Sequence, residues 1–161
     1  MNTLWSYFWP AFAAGLLAGT LAGIFAFRRD RIRPVVIGMG ALVAFGLAGL
    51  WHGPLGGADR LSSHIERDIQ KTLVYYEMTQ VTGHLHHDPL TRRVELSGPA
   101  DDFQQQELAR LMDDIPAVSG ATWSSSGGVP LIVEGLAAAL LGFLSGLLLA
   151  YLVELRRRHN A

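Results

Sequence analysis

Along much of this chain the apolar residues neither alternate nor recur at helical spacing; they run together. Leu4–Phe27, Val35–Trp51 and Leu131–Val153 contain no Asp, Glu, Lys or Arg apart from Glu134. At about 1.5 Å per helical residue these runs reach roughly 36, 26 and 34 Å, against a bilayer hydrocarbon core of roughly 30 Å. Helices apolar on every side do not suit the rim of a small soluble core. The pattern predicts three transmembrane helices over residues 1–27, 35–52 and 130–155. A short loop at 28–34 joins the first two, and a tail at 156–161 follows the third.

Between the second and third runs the period changes. Leu61, Ile65, Ile69 and Leu73 recur every fourth residue, the stripe of an amphipathic helix. From Gln80 to His86, Val81, Gly83 and Leu85 alternate with Thr82, His84 and His86, as in a half-buried strand. Asp88-Pro89 makes a turn, and Arg92–Gly98 alternates again with Val94 and Leu96 inward. Asp101 or Asp102 is placed to cap a helix that buries Phe103, Leu108, Leu111, Met112 and Ile115. Ala117–Trp123 is the last strand, and Ser124–Gly128 links it to the third apolar run. The expected fold is membrane α-helical, with a small α+β domain of order αββαβ inserted at residues 57–126.

Arginine placement sets the expected orientation. Arg28, Arg29, Arg31 and Arg33 fill the first loop, and Arg156, Arg157 and Arg158 follow the third run. Basic flanks of short loops stay cytoplasmic, so the N-terminus and the insert face outward and the C-terminus inward. Trp5, Trp9, Trp51 and Trp123 fall near the outer ends of the runs or just beside them, where indole prefers the interface. The first run lacks a basic n-region and exceeds a signal-peptide h-region, which leaves it as a retained span. In a bacterium this is an inner-membrane protein with a periplasmic insert.

The formal charge of −1 conceals a polarised molecule. Seven of the thirteen basic residues sit in the two arginine clusters, while Gly57–Gly128 holds eleven acidic residues against six basic ones. An insert of net charge −5 is not a nucleic-acid surface, nor one for broad adhesion to anionic lipid. With no Cys, thiol catalysis, disulfides and Cys-ligated metals are excluded.

The densest polar cluster is His84-Leu85-His86-His87-Asp88. On a strand His84 and His86 share a face, with Asp88 beyond, a spacing that can hold Zn²⁺ or Cu²⁺. Two strand histidines select a metal weakly, and a solvated or partner-contacting hairpin is the preferred expectation. Glu134 lies about one turn inside the third run, where a helix N-terminus and the headgroups accommodate it. Paired span histidines for a membrane haem are lacking, and so is a line of buried polar groups for transport. No cofactor is expected.

What the runs do carry is small residues at four-residue intervals. Gly15, Gly19 and Gly23 lie on one face of the first; Ala138, Gly142, Gly146 and Ala150 repeat the pattern in the third. The second has a flat face of Gly38, Ala41, Ala48 and Gly49. In lipid, helices associate mainly where small residues let backbones approach. Such grooves serve packing within the chain, docking of other subunits, or both.

The run Val94-Glu95-Leu96-Ser97-Gly98, the capped helix with Leu108 and Leu111, and Ile115-Pro116-Ala117-Val118 resemble the BON domain of bacterial envelope proteins, over roughly Leu61 to Trp123. That family ends a strand in leucine, a small residue and glycine, and opens its last strand with proline, glycine and valine. Ala117 stands here in the place of that second glycine. The resemblance implies a small periplasmic binding or interaction module, sometimes associated with phospholipid or large envelope assemblies, with no catalytic residues. The expected function is a non-enzymatic accessory subunit of a larger inner-membrane complex of photosynthetic or respiratory type. Its partners would be other membrane-protein subunits and lipid. The alternatives are a free-standing envelope protein whose BON-like domain binds lipid or an ion, and a metal-binding sensor.

Overall fold

The structure is a computed structural model that describes residues 3–28, 30–124 and 127–159. It divides into two compact units, an apolar one (Ser6–Gly56 with Glu134–Ala161) and an α+β one (Met1–Trp5 with Gly57–Val133).

The apolar unit contains three helices: α1 (Thr3–Ala26), α2 (Arg33–His52) and the last helix of the chain, Leu131–His159. Each is long and apolar enough to cross a membrane. A single 3₁₀ turn, Asp30–Ile32, leads into α2. Pro34 falls in the first turn of α2, where a missing N–H costs nothing. Pro10, by contrast, lies inside α1. The last helix runs beyond the apolar stretch that predicts it, reaching His159, because Arg156, Arg157 and Arg158 extend it without a breaker. Cations in a final turn also suit the negative end of the helix dipole.

Alanines and glycines make up most of the interior of this unit, with Tyr7 and Phe143 as its large buried side chains. One cluster joins Ala18 and Ala22 to Ala44 and Phe143; another joins Ala11 to Ala48 and Ala139. Leucines point outward instead: Leu17, Leu21, Leu42, Leu141 and Leu148 are all exposed. Water would penalise such a surface, whereas hydrocarbon accepts it.

The α+β unit contains α3 (Gly57–Tyr75), β1 (Thr82–His87), β2 (Leu90–Ser97), α4 (Asp102–Asp113) and β3 (Gly120–Thr122). The last helix of the chain is thus α5. Strand order is β1-β2-β3, with β1 antiparallel to β2 and β3 parallel to it. Gly83 pairs with Leu96 and Leu85 with Val94, which places Leu85, Val94 and Leu96 in the core. The four-residue stripe of α3 (Leu61, Ile65, Ile69, Leu73) is buried against them. A Cβ on Gly83 would lie 2.8 Å from Ile69 Cγ2, so glycine lets α3 approach the sheet.

Asp101 is the helix cap. Its carboxylate accepts from Gln104 N–H at 2.7 Å, and the Gln104 side chain accepts from Asp101 N–H at 3.0 Å. This reciprocal pair fixes where α4 starts. It also corrects one expectation: Phe103 is not on the buried face but 76% exposed, while Leu108 and Met112 do face inward. At 100° per residue Phe103 lies about 140° from Leu108 and about 180° from Met112, so the face that buries those two leaves it outside. Leu111 and Val118 are only half-buried.

β3 is shorter than the expected Ala117–Trp123 strand. A turn returns Val118 N–H to Ile115 C=O at 3.1 Å, and Ala117 has φ 79°. That is left-handed backbone, which glycine adopts without penalty and alanine does not. Gly98, at the end of β2, has φ 133°, and a Cβ there would meet Val81 Cα at 2.9 Å. The Trp123 indole, expected beside the membrane, donates to Gln105 C=O at 2.9 Å within this unit. Ser125 and Ser126 of the expected linker lie outside the described residues, but its end is held. Arg93 Nη1 donates to Gly127 C=O at 3.4 Å, and Thr91 bridges to Pro130.

Candidate functional site

The small-residue faces of α1 and α5 are turned toward each other. Gly15 lies against the Ala139 carbonyl and Phe143 N–H, and Gly19 against the Phe143 backbone. Reciprocally, Gly142 meets Phe12 C=O and Leu16 N–H, and Gly146 meets Leu16 C=O and Thr20 N–H. A Cβ at Gly23 would fall 2.5 Å from Ala150 Cβ. Contacts thus advance along α1 and α5 together, so the two helices run parallel, backbone on backbone. Ala138 packs beside Ala139 in the same interior. The two grooves expected to serve either internal packing or outside partners are occupied by one another.

α2 runs against this pair in the opposite sense: Gly40 lies against Ala22, near the end of α1, and Trp51 against Tyr7, near its start. Its flat face does not act as one surface. Ala44 and Ala48 are buried, whereas among the described residues nothing lies within 4 Å of a would-be Cβ at Gly38, Gly46 or Gly49. At 100° per residue Gly38, Leu42, Gly46 and Gly49 share one side of α2, opposite the alanines.

At the α1 start, polar groups close the bundle. The Tyr7 hydroxyl and His52 Nδ1 are hydrogen-bonded at 2.6 Å, and the Trp51 indole donates to Tyr7 C=O at 2.9 Å. Tyr7 is only 2% exposed, and a Cβ on Gly135 would lie 3.0 Å from its oxygen. A buried hydroxyl in apolar surroundings needs such a partner. Sequence reading missed this cluster. Its signal was a tyrosine one turn into the first run and a histidine closing the second, ends that adjacent antiparallel helices bring together.

The arginines collect at the other end. Arg28, Arg157 and Arg158 line one cleft with Phe27 and Glu154. Arg158 donates to Glu154 at 3.2 Å and to Phe27 C=O at 3.5 Å, and the Arg33 guanidinium lies 5.7 Å from the Phe27 ring centre. Arg31 and Arg156 are exposed; Arg29 lies outside the described residues. Both basic clusters therefore share one end of the unit, as parallel α1 and α5 require.

In the α+β unit the histidine hairpin is built into hydrogen bonds. His86 Nδ1 faces Glu95 Oε1 at 2.8 Å, and its Nε2 donates to Asp88 C=O at 3.1 Å. His87 Nε2 pairs with Glu66 Oε1 of α3 at 2.9 Å. Both ring nitrogens of His86 thus already face oxygen atoms of this unit. His84 is exposed on the same face, and the Asp88 residue meets His86 through its carbonyl. The three residues nominated from the sequence, His84, His86 and Asp88, are near in chain but do not converge as donors. Among the described residues no group of three His, Asp or Glu is placed to hold a metal ion.

No family model matches the chain, and the comparisons with curated proteins and with solved structures found no match.

Proposed function

We propose that this chain is a non-catalytic accessory subunit of a larger bacterial inner-membrane complex, of photosynthetic or respiratory type. Its three long helices span the bilayer, and its α+β unit faces the periplasm as a docking module. The observation that carries this reading is the outer side of α2. After α1 and α5 have spent their glycines on each other, Gly38, Gly46 and Gly49 still present bare backbone on one side. Small residues in lipid are the means by which helices of different chains approach closely.

Two features of the α+β unit support a BON-like identity. Gly98, at the strand-ending glycine of the motif, has a φ and surroundings that exclude a side chain, and Ala117, at the second glycine position, holds left-handed backbone. The shared end of the arginine clusters supports an N-out, C-in orientation.

Mild detergent solubilisation followed by native size analysis tests the subunit reading. A stable species several times larger than the 17.5 kDa chain, with fixed companion bands, is expected. A lone small species would favour the free-standing envelope protein instead.

A further inference from the structure

The end of α3 and the start of α4 leave an unusual amount of aromatic surface in solvent. Tyr75 is 80% exposed and Phe103 76%, with Val74 and Tyr76 also exposed. Tyr75 and Tyr76 stack edge to face at 5.1 Å. Between the two helices lies a recess of about 150 Å³ whose floor is Met78, Leu108 and Leu111 and whose walls include Tyr76 and Phe103. Through Tyr76 and Leu111 it continues into a second recess, of about 590 Å³, under Tyr75 and Pro116. Folding does not require this arrangement. The core closes on Ile69, Leu73, Leu108 and Met112, and the helical period then turns Phe103 to the opposite side of α4.

The rim is acidic. Asp68 is held by Lys71 at 2.9 Å, but Glu107 and Asp114, which line the two recesses, carry no salt bridge among the described residues. Glu77 and Asp113 are exposed nearby in the chain, against Arg67 and Arg110 as further cations. An apolar groove with such a rim fits an apolar anchor flanked by Lys or Arg. It does not fit an anionic leaflet.

Chain geometry within the unit also separates this surface from the connections to the apolar helices. α3 lies antiparallel along β1, with Glu66 at His87 and Ile69 at Gly83. Its first residue, Gly57, is therefore at the hairpin-tip end, where the Thr91–Pro130 bridge also sets the exit toward α5. Tyr75 is about 27 Å further along the helix, at the opposite end of the unit.

We propose that the Tyr75–Tyr76–Phe103 groove is the docking site for a partner protein segment with an apolar or aromatic anchor and flanking basic residues. This rests on the subunit reading and names the surface that the periplasmic unit would use.

The test uses the full chain in phosphatidylcholine nanodiscs, with two amphipathic peptides as probes: one alternating Leu with Lys, the other Leu with Glu. The Lys peptide should bind and the Glu peptide should not. Tyr75→Ser with Phe103→Ser should weaken the Lys peptide by about tenfold, and Glu107→Gln with Asp114→Asn by about threefold at low salt. An unchanged melting curve for both variants shows that the fold is intact. Binding of neither peptide, equal binding of both, or binding indifferent to the variants overturns the groove. Phosphatidylglycerol vesicles that bind in place of the Lys peptide, and lose binding in the aromatic variant, overturn it in favour of a membrane surface. Native size separates the two levels of the proposal. A wild-type chain that runs alone contradicts the subunit reading, and the peptide result then decides the groove. A native complex that survives the aromatic variant contradicts the groove and leaves the subunit reading standing.

Discussion

Gly19 of α1 lies against the backbone of Phe143 in α5, with no room for a side chain between the two helices. Gly15, Gly142 and Gly146 repeat this contact above and below, so the seam is continuous. Its first consequence is for the chain itself. Gly19→Leu must displace one backbone, an overpacking that costs about 1–3 kcal/mol. Insertion should survive, since Leu suits hydrocarbon better than Gly. Thermal or denaturant unfolding of the purified chain in detergent measures the loss. A variant as stable as wild type would mean that α1 and α5 do not meet here.

Leu96 and Phe103 make a second, paired prediction. Leu96 is 2% exposed and packs beside Gly83, so Leu96→Ala should destabilise the α+β unit by about 2–5 kcal/mol. Phe103→Ala removes a ring already in solvent and should stay within about 0.5 kcal/mol of wild type. Circular dichroism melts of the two variants decide. Equal losses would return Phe103 to the core.

Gly98 and Ala117, the two glycine positions of the proposed BON-like resemblance, predict opposite signs. Gly98→Ala places a methyl against Val81 at φ 133° and should cost about 1–3 kcal/mol. Ala117→Gly relieves about 1–2 kcal/mol of left-handed strain. It forfeits a buried methyl worth about 0.8 kcal/mol, leaving a net gain of up to about 1 kcal/mol. A destabilised Ala117→Gly variant would show that the methyl matters more than the backbone.

Much of this architecture was legible in the residues, for identifiable reasons. Apolar runs without charge are hard to mistake, and the α3 stripe from Leu61 to Leu73 needs only the helical period. Asp101 was one of two candidate caps because both carboxylates precede the same helix; only the backbone φ and ψ separate them. Phe103 departs from its expected burial because the helical period relative to Leu108 and Met112, not apolar identity, decides which side it faces. Use of the α1 and α5 glycines on each other depends on which helices are neighbours and whether they run parallel, and spacing within one helix holds no information on that. The Tyr7–His52 hydrogen bond was hidden for the same reason. The histidine hairpin showed its face but not its partners, since Glu66 is supplied by a helix some twenty residues away.

Orientation is tested by reporter fusions after Arg33, Ser97 and Ala161. The shared end of Arg28, Arg157 and Arg158 predicts cytoplasmic, periplasmic and cytoplasmic signals respectively. A cytoplasmic signal from the Ser97 fusion would invert the molecule and place its α+β unit on the other side of the membrane.

The subunit claim is tested most directly by placing bulk on the outer side of α2. A Cβ at Gly46 or Gly49 has no described atom within 4 Å, so for Gly46→Leu with Gly49→Leu the stability of the isolated protein should change by less than about 0.5 kcal/mol. If that side meets another subunit, the double variant should reach the membrane at normal level and yet migrate as a lone species in native size analysis. Retention of the full native complex, with the double variant assembled as well as wild type, would contradict α2 as the docking face.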